Sequence, residues 1–140
     1  NRPVREYVGA VFAAGLAHLR ARGDIPREFT LVPAPTRPRS ARARGGDPVS
    51  AVCHSAAQHQ RVGVCAALTM GQSTADQSEL SAQDRWANLQ GRVRVRTPIA
   101  QVPALLADDV ITTGATLAAS IAALQAAGVE VCGALVFADA

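Results

Sequence analysis

The stretch from Leu105 to Leu117, LLADDVITTGATL, constrains the fold of this chain more than any other segment. Apolar residues run into two adjacent carboxylates, a short turn rich in Thr follows, and a second apolar stretch begins at Ala115. This order is typical of a strand that passes through a tight loop into a helix. Since ligands of open α/β sheets bind beyond the carboxyl ends of the strands, we expect a binding site at this loop.

The composition of the loop suits a phosphate group. A helix that begins at Ala115 has first-turn amides without intrahelical partners, and its dipole favours an anion there. Gly114 permits close approach of the backbone, and the Thr hydroxyls add hydrogen-bond donors. The sequence therefore predicts a phosphate cradle made by Thr112, Thr113, Gly114, Ala115 and Thr116.

The two carboxylates that precede the cradle have two interpretations. Asp108 and Asp109 can accept hydrogen bonds from sugar hydroxyls, or hold Mg²⁺ through its water ligands. The structural alternative is that Asp108 merely ends a strand while Thr112 caps the following helix. The complete ordered string between a strand and a helix favours the ligand-binding interpretation.

Strands alternate with helices along the rest of the chain. This alternation predicts an α/β fold of three layers, a mostly parallel sheet flanked by helices, in one domain spanning residues 1–140. Tyr7 and Phe12 are expected in the core, and Leu117, Ile121 and Leu124 on the buried face of the last helix. Helices are predicted over 4–22, 47–59, 81–89 and 115–127, strands over 29–32, 62–68, 92–96, 102–107 and 129–137, and loops over 36–46 and 69–80.

Composition excludes several classes of protein. No apolar run is long enough to cross a membrane and no signal-like segment opens the chain, so we expect a cytoplasmic protein without membrane insertion. Cys53, Cys65 and Cys132 are widely spaced and form no CxxC pair, which argues against a zinc site or a disulfide framework. Three buried, inert thiols are expected instead.

All 14 basic residues are arginines, and seven of them occur in two clusters. The cluster nearer the N-terminus can contact pyrophosphate or a nucleic-acid backbone, and the other can contact DNA or RNA, although a solvated face is the commoner role of such runs. Because no aromatic residues alternate with them, base stacking is not indicated. One cluster is Arg37, Arg39, Arg42 and Arg44, and the other is Arg92, Arg94 and Arg96.

Residues 105–117 resemble the signature of the type I phosphoribosyltransferases, an apolar strand, two acidic residues and a phosphate loop with Thr and Gly. Residues 31–47, LVPAPTRPRSARARGGD, are similar to the ComF family, in which a Val-Pro-x-Pro strand end precedes an Arg-rich stretch. A third ComF-like pattern lies in residues 77–91, at Gln77, Leu80, Ser81, Arg85, Asn88 and Gly91.

The resemblance implies a type I phosphoribosyltransferase fold that binds 5-phosphoribosyl 1-diphosphate with Mg²⁺ as cofactor. Asp108 and Asp109 would be the catalytic residues that contact the ribose hydroxyls, and Thr112 to Thr116 would hold the 5-phosphate. Pyrophosphate would be displaced by a nitrogen nucleophile of an unidentified amine or base. Thr36 and Arg37 would bind the pyrophosphate, and a flexible loop that closes over the site would involve Gln77, Ser78, Leu80, Ser81 and Arg85.

Departures from the ComF pattern keep other functions open. The chain has no four-cysteine zinc element, which ComF proteins commonly carry at the N-terminus, and because it begins without Met we expect such an element upstream. No Lys or Arg lies between Thr69 and Leu80. The alternatives are a phosphoribosyl-diphosphate or nucleotide sensor without catalysis, and a competence accessory protein that binds single-stranded DNA or DNA-uptake proteins. A homodimer is a further partner to test, and a phosphoacceptor receiver domain is disfavoured because its paired Asp belong near the start of the chain.

Overall fold

The computed structural model describes residues 2–35, 48–71, 92–99, 102–111 and 114–139, with side chains described there except at 2–5, 48, 109–111 and 137–139. Helices and strands alternate in the first and last parts of these ranges, as the sequence predicts, whereas the described elements between them are all strands. In chain order they are α1 (Arg2–Arg22), β1 (Thr30–Pro33), α2 (Pro48–Gln60), β2 (Gly63–Val64), β3 (Leu68–Met70), β4 (Val93–Val95), β5 (Ala104–Ile111), α3 (Ala115–Ala126) and β6 (Val131–Asp139).

Four of the strands form a parallel sheet in the order β2-β1-β5-β6. The other two, β3 and β4, pair antiparallel as a separate ribbon, with Thr69 opposite Arg94. The prediction of an α/β fold with a mostly parallel sheet flanked by helices is confirmed. Parallel strands require crossover connections, and the helices that provide them cover the faces of the sheet.

Each face of the sheet has its own apolar core. On β1 and β5, Leu31 and Leu105 contribute to a core that includes residues of α1 and α2, such as the fully buried Leu16. The next residues along the two strands, Val32 and Leu106, belong to a second core together with α3 and the β3–β4 ribbon. Successive strand residues alternate between faces, and since both faces are covered, apolar residues occupy consecutive positions in the middle of both strands.

Helix α3 agrees closely with its prediction. Leu117, Ile121 and Leu124 all contribute to the second core, and Leu124 is fully buried. The helix ends before Gly128, which has φ of +80°. A left-handed residue is the common way to end a helix, and glycine adopts it without steric cost.

The predicted strand over 62–68 is wrong as a single element. Its first part pairs with β1 as β2, and Cys65 N–H still donates to Leu31 O at 2.9 Å. Its last residue, Leu68, instead opens β3 and lies opposite Val95. The apolar pattern continues through both parts because each is buried on one side, and only the pairing reveals where the partner changes.

The predicted strand over 102–107 is too short. β5 extends to Ile111, because β6 continues to offer partners as far as Val110↔Ala138 and Ile111↔Asp139. The paired carboxylates therefore lie within the strand and not in a loop after it. Hydrogen bonding to a neighbouring strand outweighs the weak strand propensity of Asp.

Tyr7 is not a core residue, since its side chain is 71% exposed, whereas Phe12 is buried as predicted. Only Cys53 of the three free cysteines is fully buried, and Cys65 and Cys132 are half-buried. The Cys132 thiol donates to Ala104 O at 3.4 Å, and burial raises its pKa. A raised pKa keeps the thiol protonated, which fits the predicted inertness of this cysteine.

Within the part of the chain that the structure describes, no helix combines the length and apolar character needed to span a membrane.

Candidate ligand site at the carboxyl edge of the sheet

The carboxyl ends of β1 and β5 lie side by side. Pro33 is the register partner of Ala107, and Ala34 N–H donates to Ala107 O at 2.7 Å. Val32 through Pro35 are all buried at this point. The chain therefore leaves β1 next to the position where β5 reaches Asp108.

Asp108 is the first charged residue on β5. It is half-buried, and its register partner on β6 is Val136. Since it follows Leu106 by two residues, it lies on the face of the sheet that α3 covers. Asp109 also lies on β5 by its backbone, whereas its side chain is outside the described part of the structure.

The N-terminus of α3 follows β5 closely along the chain. Its N-cap residue, Gly114, has φ of +77° and ψ of 1°, and its carbonyl accepts a 2.9 Å hydrogen bond from Ala118 N–H. No described atom lies within 4 Å of the position that a Cβ of Gly114 would occupy. Glycine adopts this left-handed backbone without the steric cost that a side chain would bring.

The first turn of α3 is supported by a residue that the sequence analysis did not single out. The fully buried Ser120 donates its hydroxyl to Thr116 O at 2.7 Å, and Thr116 itself is half-buried. The sequence feature that indicates this hydrogen bond is a serine four residues after Thr116 on a largely apolar helix. A serine in that position commonly bonds back to the carbonyl one turn earlier.

Asp108 lies on β5, Gly114 is the N-cap of α3, and Ala115 and Thr116 begin that helix. The other predicted site residues lie outside the described residues, and their roles stay predictions. They are Thr36 and Arg37 after β1, Thr112 and Thr113 after β5, and the loop residues Gln77, Ser78, Leu80, Ser81 and Arg85.

The described residues suit a divalent cation that keeps most of its water ligands and also binds the phosphates of the substrate. Among the described residues, no group of three or more His, Cys, Asp or Glu side chains is placed to hold a metal ion. Mg²⁺, however, commonly keeps several water ligands and uses one or two carboxylates together with phosphates of the substrate. The half-buried carboxylate of Asp108 fits that kind of water-mediated, substrate-dependent binding.

The three arginines on and beside β4 differ in how far their side chains are exposed. Arg92 is half-buried, and its Nε donates to Gly71 O at 2.7 Å across the ribbon, so the expectation of a solvated side chain is wrong for it. Arg94 and Arg96 are exposed, as predicted. His54 and His59 on α2 are exposed as well.

No protein-family model matches this chain, and a search of curated proteins finds no match to it. Function is therefore inferred from the residues that meet at the carboxyl edge of the sheet.

Proposed function

We propose that this protein binds 5-phosphoribosyl 1-diphosphate on a type I phosphoribosyltransferase fold and transfers the phosphoribosyl group to a nitrogen nucleophile. The observation that supports this most is the arrangement of Asp108 on β5 and Gly114 at the start of α3, beside the carboxyl end of β1. A sugar phosphate needs both a carboxylate for its hydroxyls and a donor-rich anion site, one ribose length apart.

The 5-phosphate is assigned to the start of α3. The left-handed Gly114 turns the chain so that the helix begins with amides directed outward, where the dipole stabilises negative charge. The buried hydrogen bond from Ser120 to Thr116 O holds this turn in place. Thr112 and Thr113 would add hydroxyl donors to the same phosphate.

The ribose is assigned to Asp108. A carboxylate accepts two hydrogen bonds from neighbouring sugar hydroxyls, and such charge-assisted bonds are stronger than neutral ones. Partial burial of Asp108 strengthens these bonds further, because the surrounding dielectric is lower than that of water. Its negative charge also stabilises positive charge that develops on the sugar ring in the transition state.

In the proposed reaction the bond between the anomeric carbon and the pyrophosphate oxygen breaks, and its electron pair leaves with pyrophosphate. The nitrogen of the acceptor supplies the electron pair of the new bond and then loses its proton. Mg²⁺, when bound, neutralises the leaving pyrophosphate. Arg37 and Thr36 would bind that pyrophosphate at the end of β1, and the loop containing Gln77, Ser78, Leu80, Ser81 and Arg85 would exclude water.

Calorimetric titration with 5-phosphoribosyl 1-diphosphate, with and without Mg²⁺, tests the binding step. We expect saturable binding that is strengthened by Mg²⁺, and weaker binding of ribose 5-phosphate, which keeps the 5-phosphate and the sugar hydroxyls but has no diphosphate. A folded protein that shows no binding in either condition contradicts the proposal.

The two left-handed glycines at the ends of α3 provide a second test. Gly114→Ala and Gly128→Ala each place a side chain at positive φ, near +77° and +80°, and each is expected to lower the free energy of unfolding by about 1–2 kcal/mol. Only Gly114→Ala should also weaken ligand binding, by about 10-fold, because it distorts the phosphate cradle. Thermal unfolding and calorimetry measure the two effects, and equal affinities of the two variants would place the phosphate elsewhere.

A sensor that binds the same ligand without catalysis is the first alternative. It has the same binding behaviour, so affinity does not distinguish it from the enzyme. Release of pyrophosphate in the presence of a panel of amines and bases does, because turnover produces one pyrophosphate per phosphoribosyl group transferred. The lack of Lys and Arg between Thr69 and Leu80 favours this alternative.

A nucleic-acid-binding accessory role is favoured by two exposed arginines, one on β4 and one directly after it. Arg94 and Arg96 project from a short ribbon whose other face packs in the second core. If both contact phosphates, Arg94→Gln with Arg96→Gln should lower the slope of log affinity against log salt concentration by about 1.4 for single-stranded DNA, at about 0.7 per phosphate. Fluorescence anisotropy over a salt series measures this, and an unchanged slope excludes the ribbon as the contact.

A further inference from the structure

An apolar groove lies between α1 and β6, at the opposite margin of the molecule from β2. Its volume is about 370 Å³, and it is lined by Tyr7, Val8, Val11, Phe12 and Gly15 of α1 together with Leu135 and Val136 of β6. Tyr7 and Val11 are the two large hydrophobic side chains that stay exposed within the described residues, at 71% and 56%. Among the described residues, the exposed large apolar side chains therefore lie at one place on the surface.

The groove adjoins an edge strand. β6 is the last strand in the order β2-β1-β5-β6, and no described strand pairs with its outer side. It is nine residues long, and residues 131–136, VCGALV, contain no charged residue and no proline. Charges, prolines and short length are the usual means of protecting an edge from pairing, so this edge is suited to accept another strand.

We propose that β6 and the neighbouring face of α1 form the contact between two copies of this chain. An antiparallel pairing of β6 with β6 of the second copy joins the two four-stranded sheets into one. The twofold axis of such a pairing brings the two grooves together, so that the exposed Tyr7 and Val11 of each copy are covered by the other. The occupant must offer both a free strand edge and an apolar surface beside it, and a second copy offers both.

The size of this surface agrees with that of a stable dimer. Nine strand residues span about 30 Å at about 3.3 Å per residue. Measured perpendicular to the sheet, the edge strand and the α1 layer beside it together span about 20 Å, at about 10 Å per layer. The resulting area, about 600 Å² per copy or about 1,200 Å² in total, reaches the lower end of the range for specific interfaces.

Sedimentation velocity of the full chain over a wide range of concentrations tests this proposal. We expect the mass to rise from 14.5 kDa toward twice that value as concentration increases. Tyr7→Glu combined with Val11→Glu should raise the dissociation constant of the dimer by at least about 100-fold, because the association would bury unpaired charges. Both side chains are exposed in the single chain, so the variant should keep its fold and its unfolding temperature.

Ala17→Glu is the matched control, because Ala17 is exposed on the same helix and does not line the groove. It should dimerise as the original chain does. Hydrogen exchange adds an independent readout, since outward-facing amides of β6 should become protected only at concentrations where the dimer forms. A chain that is monomeric at every concentration, or a Tyr7→Glu, Val11→Glu variant that dimerises normally, overturns the proposal.

Discussion

Asp108→Asn is expected to weaken binding of 5-phosphoribosyl 1-diphosphate by at least about 100-fold. The substitution retains the size of the side chain but replaces a charged acceptor of two sugar hydroxyls by a neutral amide. Each hydrogen bond to a charged group contributes about 1.5–3 kcal/mol, and two of them account for the expected loss. Calorimetry in the presence of Mg²⁺ measures the affinity, and circular dichroism confirms that the half-buried position still permits folding.

Asp24→Asn is the control for this substitution. Asp24 lies just after α1, and its carboxylate is partly exposed and 3.2 Å from Arg22 Nε. A surface ion pair of this kind contributes little to stability, and Asp24 is remote in the fold from the β5–α3 connection. Its variant should bind the ligand like the original chain. Equal affinities for Asp108→Asn and the original chain would remove Asp108 from the proposed site.

Gly9→Ala is expected to lower the free energy of unfolding by about 2–3 kcal/mol, an effect typical of overpacking. Gly9 is buried where α1 crosses α2, and a Cβ at this position would lie 2.6 Å from Ser55 Cβ and closer still to its hydroxyl oxygen. The two helices would have to separate to accept a single methyl group. Thermal unfolding should show a melting temperature lowered by about 5–10 °C.

Gly15→Ala, on the same helix, is expected to have the opposite effect. A Cβ on Gly15 would come no closer than 4.0 Å to Leu135 Cδ2, an ordinary contact, so only the helix propensity changes. Replacing glycine by alanine inside a helix stabilises it by about 1 kcal/mol. Ser55→Gly should partly rescue Gly9→Ala, since it removes the clashing atoms. If the two alanine variants had the same stability, the close approach of α1 to α2 would be wrong.

Helix α3 and its glycine boundaries could be predicted from the sequence because their causes are local. Apolar residues at helical spacing place Leu117, Ile121 and Leu124 on one face, and Gly128 supplies the left-handed conformation that ends the helix. The same reasoning located Gly114 before the helix, and the structure gives it positive φ. Each of these features depends on residues within one or two turns.

The candidate site was predictable only in part. The order of Asp108 on a strand and Gly114 to Thr116 at the start of the next helix could be predicted, because the strand and the helix are consecutive. β1 ends beside Asp108 because Pro33 pairs with Ala107, about seventy residues later in the chain. No local sequence pattern indicates this pairing. The support of Ser120 for the first turn depends on its burial, and burial is decided by the sheet beneath the helix.

The sequence by itself determined where α1, α2 and α3 lie and which strands are buried on both sides, and it predicts which residues would hold a phosphorylated sugar. Periodicity, glycine conformation and side-chain chemistry act over a few residues, so a single chain displays them. Tertiary structure decided that residues 62–68 divide between two sheets, that β5 continues through its carboxylates to Ile111, and that Tyr7 faces outward beside β6, the last described strand of the sheet. These features arise from pairing and packing between distant segments, whose free energies no local sequence pattern contains.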